Sequence, residues 1–204
     1  MYKTRPGLIL GFHGCDKLTA DEVISGKSEL KFSENTFDWL GHGIYFWEYS
    51  ADRALDYAIE VSKRNKTKGN INEPAILGAV IDLGYCLDLI EFKNLSILKK
   101  SFEYFNLTCD SFGIELPQNR PIGNSKDLLI RNLDCAIIEF LHESMSIVGE
   151  RPYDSVKGVF IEGNDLYPQA GFKEKNHVQI CIRNPNCIKG FFNPRVTNDK
   201  FPDV

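Results

Sequence analysis

Two short stretches combine residue types suited to holding a small, flat molecule. Phe12-His13-Gly14 closes the apolar run Leu8-Ile9-Leu10-Gly11 and places an imidazole beside a residue without a side chain. The pattern predicts a strand end there. Gly41-His42-Gly43-Ile44-Tyr45-Phe46-Trp47 joins a Gly-x-Gly turn to an aromatic and β-branched run. Glycine permits a sharp turn or a close approach of backbone to ligand. A tyrosine just beyond such a turn offers a flat wall to a planar ring. Taken singly, each stretch also reads as ordinary structure: a histidine at a strand end, a turn feeding a core strand. Their company in one chain favours a ligand site.

The elements that must position these residues are legible in outline. Thr19-x-x-Glu22 has the form of a capping box and predicts a helix over about 20–25. Residues 27–39 read as a loop leading into the glycine turn. Ser50 is a good N-cap for a helix to Lys63, with Ala54, Leu55, Ala58 and Ile59 on one face. A basic loop, 63–70, follows. A strand is expected over 75–83 and an edge piece over 86–89. Helices are expected over 95–105 and, capped by Ser125, over 127–145. Strands are expected over 153–161, 178–183 and 188–192, with a long loop at 163–175 and a turn at 184–186. Strands cluster at both ends with helices between, so the class is α+β rather than a parallel βαβ sheet. There is no repeat and no compositional break: one domain over 1–192 and a polar tail over 193–204.

Composition narrows the function classes. The 204 residues are 43% hydrophobic and 25% charged, as in an ordinary globular protein, with no apolar run of membrane-spanning length. Six cysteines without a C-x-x-C pair predict buried, reduced thiols and a cytoplasmic protein without a signal peptide. His177, Cys181 and Cys187 make only a weak zinc pattern, and no metal is expected. A net charge of −4 disfavours a general nucleic-acid coat, leaving a local basic patch as the alternative. His42 reads as a turn residue, His142 as a helix-surface residue and Trp47 as core.

These residues resemble a family. Phe12-His13-Gly14, then Gly41-His42-Gly43-Ile44-Tyr45-Phe46 with a helix reaching Asp56-Tyr57, then Val178 to Ile182 running into Asn184-Pro185-Asn186-Cys187-Ile188, is similar to the NAD-dependent ADP-ribosyltransferase fold in its diphtheria-toxin and poly-ADP-ribose-polymerase branch. The resemblance implies two packed antiparallel sheets with flanking helices and NAD as substrate in the cleft between them. It implies that His13 hydrogen-bonds the adenosine ribose and that the Gly14 backbone pairs with the nicotinamide amide. Tyr45 would stack on the nicotinamide ring, Tyr57 would close its other side, and Ala54 would line the pocket where many relatives carry serine. Gln179 stands where the family usually places its catalytic glutamate. It can still bind a ribose hydroxyl but brings no charge. Glu48, Glu162 and Glu174 are the carboxylates that could enter from another direction.

The resemblance implies a mono-ADP-ribosyltransferase acting on a macromolecule, in the manner of a bacterial or phage-related toxin or effector of toxin–antitoxin or phage-defence systems. The acceptor is protein or nucleic acid, with RNA contacts through Lys63, Arg64, Lys66 and Lys68 and an antitoxin or inhibitor as a further partner. His177 stands where arginine-targeting relatives have glutamate, which argues against arginine. An NAD glycohydrolase and a non-catalytic NAD- or ADP-ribose-binding module stay as alternatives.

Overall fold

The apolar run near the N-terminus becomes a long inner strand on which the other elements are laid. In the computed structural model, which describes residues 7–63, 71–123 and 126–202, β1 (Ile9–Asp16) leads to α1 (Lys17–Ile24), β2 (Ile44–Glu48), α2 (Ala51–Lys63) and β3 (Pro74–Ile81). Then come β4 (Cys86–Asp88), α3 (Phe92–Phe112), a short ribbon of β5 (Asn119–Arg120) and β6 (Ile130–Arg131), and α4 (Asn132–Ile147). The chain ends in β7 (Ser155–Phe160), β8 (His177–Ile182) and β9 (Ile188–Phe192). The fold is α+β.

The expected pair of separate sheets is replaced by one seven-stranded hydrogen-bonded sheet, ordered β4-β7-β8-β2-β1-β3-β9, with the β5–β6 ribbon apart from it. The sheet is continuous because β2 has partners on both edges. It pairs with β8 from Ile44–Ile182 to Trp47–Gln179, and with β1 at Gly11–Glu48 and Phe12–Trp47. The β1–β2 seam is short, whereas β1 and β3 stay in register from Ile9–Ile81 to Asp16–Pro74. All pairings in the sheet are antiparallel except β4 with β7.

Period-two alternation sorts the side chains onto two buried faces. Ile44 and Phe46 of β2 join Ile180 and Ile182 of β8 in a cluster closed by Ala20 and Val23 of α1. On the other face Cys181 packs with Ile138 and Met145 of α4, and Trp47 packs with Phe12 and Ala54 of α2. Gln179 and Cys181 therefore share a face, as the alternation predicts. That face is covered by helices, and Cys181 is wholly buried.

Several element ends fall elsewhere than local signals suggest. α1 starts at Lys17, capped by Asp16, whose Oδ1 accepts the Leu18 N–H at 3.0 Å. Asp16 Oδ2 also accepts the N–H groups of Asn72 and Glu73, so Thr19 and Glu22 form no box. α3 is longer than expected at both ends. α4 begins at Asn132 because Ile130–Arg131 is drawn into the ribbon. Its first turn is capped from a distance, Asn119 Oδ1 accepting from Leu133 at 2.9 Å and Asp134 at 3.2 Å. The Ser125 cap lies outside the described residues. The 184–186 turn closes as a short 3-10 helix, Pro185–Cys187.

His142 is not on the surface of α4 but is 4% exposed, its Nδ1–H donating to the Ile138 carbonyl at 2.7 Å. Burial pushes both His142 and His177 down to about 4 from an ordinary 6.5. Each must take up a proton on unfolding in mild acid. Their contribution is thus complete above pH 6.5 and is lost as pH falls toward 4. It is at most about 3 kcal/mol each. Urea unfolding across that range should show a falling stability, and His142→Leu should flatten the fall; an acid limb identical to wild type in that variant counts against the assignment.

Candidate functional site

Beyond Phe12–Trp47, β1 and β2 pair no further in register, and a cavity of about 1020 Å³ lies beside them. His13, Gly14, Tyr45, Trp47, Tyr57 and Gln179 all line it. His13 bridges the two strands, its Nδ1–H donating to the Tyr45 carbonyl at 2.8 Å. A carbonyl only accepts, so Nδ1 carries the proton and Nε2 keeps its lone pair. Burial lowers the His13 pKa, which keeps the ring neutral.

Tyr45 is held by the turn that precedes it. Its hydroxyl donates to the Gly41 carbonyl at 2.6 Å and accepts the Leu40 N–H at 2.9 Å. Burial pushes its pKa up, so the phenol stays protonated. Gly41, at φ 78°, takes a conformation that side chains disfavour. A second grip comes from α4: Glu139 accepts the His42 N–H at 2.7 Å and pairs with Arg183, whose Nη1 donates to the His42 carbonyl at 3.0 Å. Burial alone would raise the Glu139 pKa, but Arg183 and the His42 N–H hold it low. Tyr45→Phe keeps the aromatic wall and removes both hydroxyl bonds. It should cost about 1–3 kcal/mol in chemical unfolding, because the Leu40 N–H loses its acceptor; a neutral substitution would show that the hydroxyl does not hold the turn.

The structure corrects the expectation for Ala54. It does not line the cavity but lies fully buried beneath β1. Gly14 faces the cavity on one side and the α2 backbone on the other, where a methyl would meet the Ala54 carbonyl. Close packing of strand on helix is the local reason for this glycine. Tyr57 does reach the cavity, but its ring lies 5.0 Å from that of Trp47. Trp47, 4% exposed, is both core and cavity wall. Gln179 sits directly across from Trp47 in the β2–β8 register. Among the described residues none forms a hydrogen bond with its side-chain amide.

Near Gln179 the cavity carries a cluster of charges that local patterns did not single out as a group. Arg53, one turn before Tyr57 on α2, lies with its guanidinium 5.7 Å from the Trp47 ring. The i, i+4 spacing of Arg53 and Tyr57 was the available signal. Arg53 Nη2 is 3.7 Å from Glu162 Oε1, and His177 Nε2 is 3.5 Å from the same oxygen. Lys175 completes the wall and pairs with Glu60. Burial raises the Glu162 pKa against the pull of Arg53 and Lys175. Glu48 and Glu174 are elsewhere: Glu48 pairs with buried Lys157 at 2.8 Å, and Glu174 accepts from Asn164 at 3.1 Å.

The weak zinc pattern does not assemble. Cys181 and Cys187 belong to clusters on opposite faces of the sheet, and the His177 Nδ1–H is given to the Lys175 carbonyl. The cysteines are free thiols. Lys63 lines the cavity, while Arg64, Lys66 and Lys68 lie outside the described residues. The 163–175 loop exposes Leu166, Tyr167 and Phe172 and is pinned by an Asp165–Lys173 ion pair of 2.6 Å.

No protein-family model and no solved structure matches the chain. The chain is similar to an uncharacterised protein of Methanocaldococcus jannaschii, 23% identical over 210 residues, covering 93% of this chain and 90% of that protein. The likeness thus runs nearly end to end in both. Among the described residues no helix is long and apolar enough to cross a membrane.

Proposed function

We propose that this protein is a mono-ADP-ribosyltransferase that cleaves NAD at the nicotinamide glycosidic bond and transfers ADP-ribose to a macromolecule. One observation carries the reading: His13, Gly14, Tyr45 and Gln179, contributed by β1, β2 and β8, line a single cavity. At about 1020 Å³ it stands at the upper end of the range for small-molecule sites, roughly 300–1,000 Å³. The Tyr45 ring is the platform for nicotinamide, worth about 0.5–1.5 kcal/mol beyond area burial. Gly14 offers backbone to the carboxamide, the His13 lone pair takes an adenosine ribose hydroxyl, and Gln179 takes a hydroxyl of the nicotinamide ribose. Trp47 and Tyr57 together wall the far side. Catalysis on this plan is positioning and electrostatics around a bond that breaks with positive charge developing at the ribose. The acceptor is protein or nucleic acid, bound across the mouth that Lys63 and the 163–175 loop flank, as suits a toxin or effector.

The test is incubation of the pure protein with adenylate-labelled NAD and separate pools of protein, RNA and DNA. Label transferred to one pool, with release of nicotinamide, is the expected result. Free ADP-ribose without a labelled macromolecule would instead assign water as the acceptor, and NAD binding without nicotinamide release would make the cavity a binding site only.

A further inference from the structure

Gln179 leaves the cavity without a carboxylate where the reacting ribose is proposed to lie, and neutral His13 is already engaged through Nδ1. Of the carboxylates lining the cavity, Asp16 caps α1, Asp38 accepts from Ser33 and Asn35, Glu60 pairs with Lys175 and Asp127 accepts the Gly163 N–H. Glu162, from beyond the neighbouring strand, accepts no hydrogen bond at its carboxylate among the described residues. Glu162 lies two residues past the end of β7, its side chain is 12% exposed, and it lines the same cavity as Gln179. Its backbone position is set next door, where the Gly163 N–H donates to Asp127 Oδ2 at 2.8 Å. We propose that Glu162 is the proton acceptor of this site, taking the proton of the attacking group as the glycosidic bond of NAD breaks. The proposal rests on the NAD reading above and names the residue that completes it.

The step balances within the cavity. The bond from ribose C1′ to the nicotinamide nitrogen breaks, and its electron pair leaves with nicotinamide. A lone pair of the acceptor's oxygen or nitrogen forms the new bond to C1′. The proton displaced from that atom goes to Glu162.

The surroundings suit a carboxyl that gains and loses a proton. His177 Nε2, 3.5 Å from Glu162 Oε1, has no hydrogen bond among the described residues, and its ring proton is on Nδ1. An unprotonated Nε2 accepts from a protonated Glu162, so the proton has a partner on arrival. Arg53 from α2 and Lys175 from the lead into β8 face the carboxylate and favour its charged form. Arg131 from β6 does so as well, while Asp127 opposes them. Desolvation outweighs the cations and raises the Glu162 pKa. A base whose pKa lies closer to the working pH is the more effective one.

The test combines NAD calorimetry with nicotinamide release across pH, on wild type and Glu162→Gln. The isosteric amide should bind NAD as wild type does and lose turnover by on the order of 100-fold. Wild-type turnover should fall as pH falls through a pKa above the ordinary 4.5, because the base must be ionised to work. Glu162→Gly should regain part of its turnover with added formate, a small base that no merely structural role would answer to. Wild-type-like turnover in Glu162→Gln overturns the proposal and leaves the NAD reading standing. Should that variant not fold, absence of the acid limb from wild-type turnover overturns it equally. A wild-type protein that neither binds nor cleaves NAD overturns the NAD reading, and this role with it.

Discussion

Gly14→Ala is expected to destabilise the protein by about 3 kcal/mol and to abolish ligand binding in the cavity. A methyl group at this position would stand 3.0 Å from the Ala54 carbonyl carbon, closer still to its oxygen, and 3.4 Å from Ala58 Cβ. These are mostly atoms of the helix backbone, which cannot rotate away as the end of a flexible side chain would. α2 must therefore shift as a body, or β1 must bow. Either movement displaces Arg53 and Tyr57, which line the cavity, and disturbs His13, whose Nδ1–H reaches the Tyr45 carbonyl. Gly171→Ala is the control: a methyl there meets no atom within 4 Å. Urea unfolding and NAD calorimetry on both variants decide the matter. A Gly14→Ala protein as stable as wild type would show that α2 does not pack as described.

Gln179→Ala should reduce turnover of NAD far more than it weakens NAD binding, on the order of 100-fold in kcat. In the proposed site the amide binds a ribose hydroxyl whose acidity rises as charge develops at C1′, so the contact strengthens toward the transition state. The register supports this position, since Gln179 faces the cavity across from Trp47 and no described residue takes up its amide. Gln179→Glu should retain activity or raise it, because a carboxylate adds negative charge where positive charge appears. Steady-state kinetics with matched NAD affinities separates the effects. Equal kcat in wild type and Gln179→Ala would remove this residue from the chemistry and leave Glu162 as the carboxylate to examine.

On the proposed plan Gln179 and Glu162 divide roles that one glutamate could combine. Gln179 lies within β8, where the ladder fixes its direction, and it is neutral. Glu162 lies two residues beyond the end of β7, its carboxylate beside His177 and Arg53. A buried, partly desolvated carboxylate opposes folding once ionised: its raised pKa means that its stabilising contribution is present below the unfolded value and lost as pH rises through the folded one. That cost falls on a residue facing the cavity, as expected where a site trades stability for chemistry.

Local signals carried the class and most of the elements. The α2 helix from Ala51 to Lys63, the last strand and the inner strands were legible because each carries its own period, cap or turn residue. The His-Gly and Gly-x-Gly-x-Tyr stretches were legible as candidate sites for the same reason: their chemistry is written in adjacent residues. What the tertiary structure alone decided are the relations between distant segments. β8 inserts between β7 and β2, which puts Gln179 opposite Trp47 across 132 positions of chain. Asn119 caps α4, Glu139 and Arg183 grip the glycine turn, and Ala54 retreats beneath Gly14. Glu162 and Arg53 of the cavity wall meet buried His177. None of these has a local period or motif, because a hydrogen bond or ion pair between separate elements depends on strand order and helix packing. Those are set by burying both faces of one sheet at once, an energy that belongs to the whole chain and to no single stretch of it.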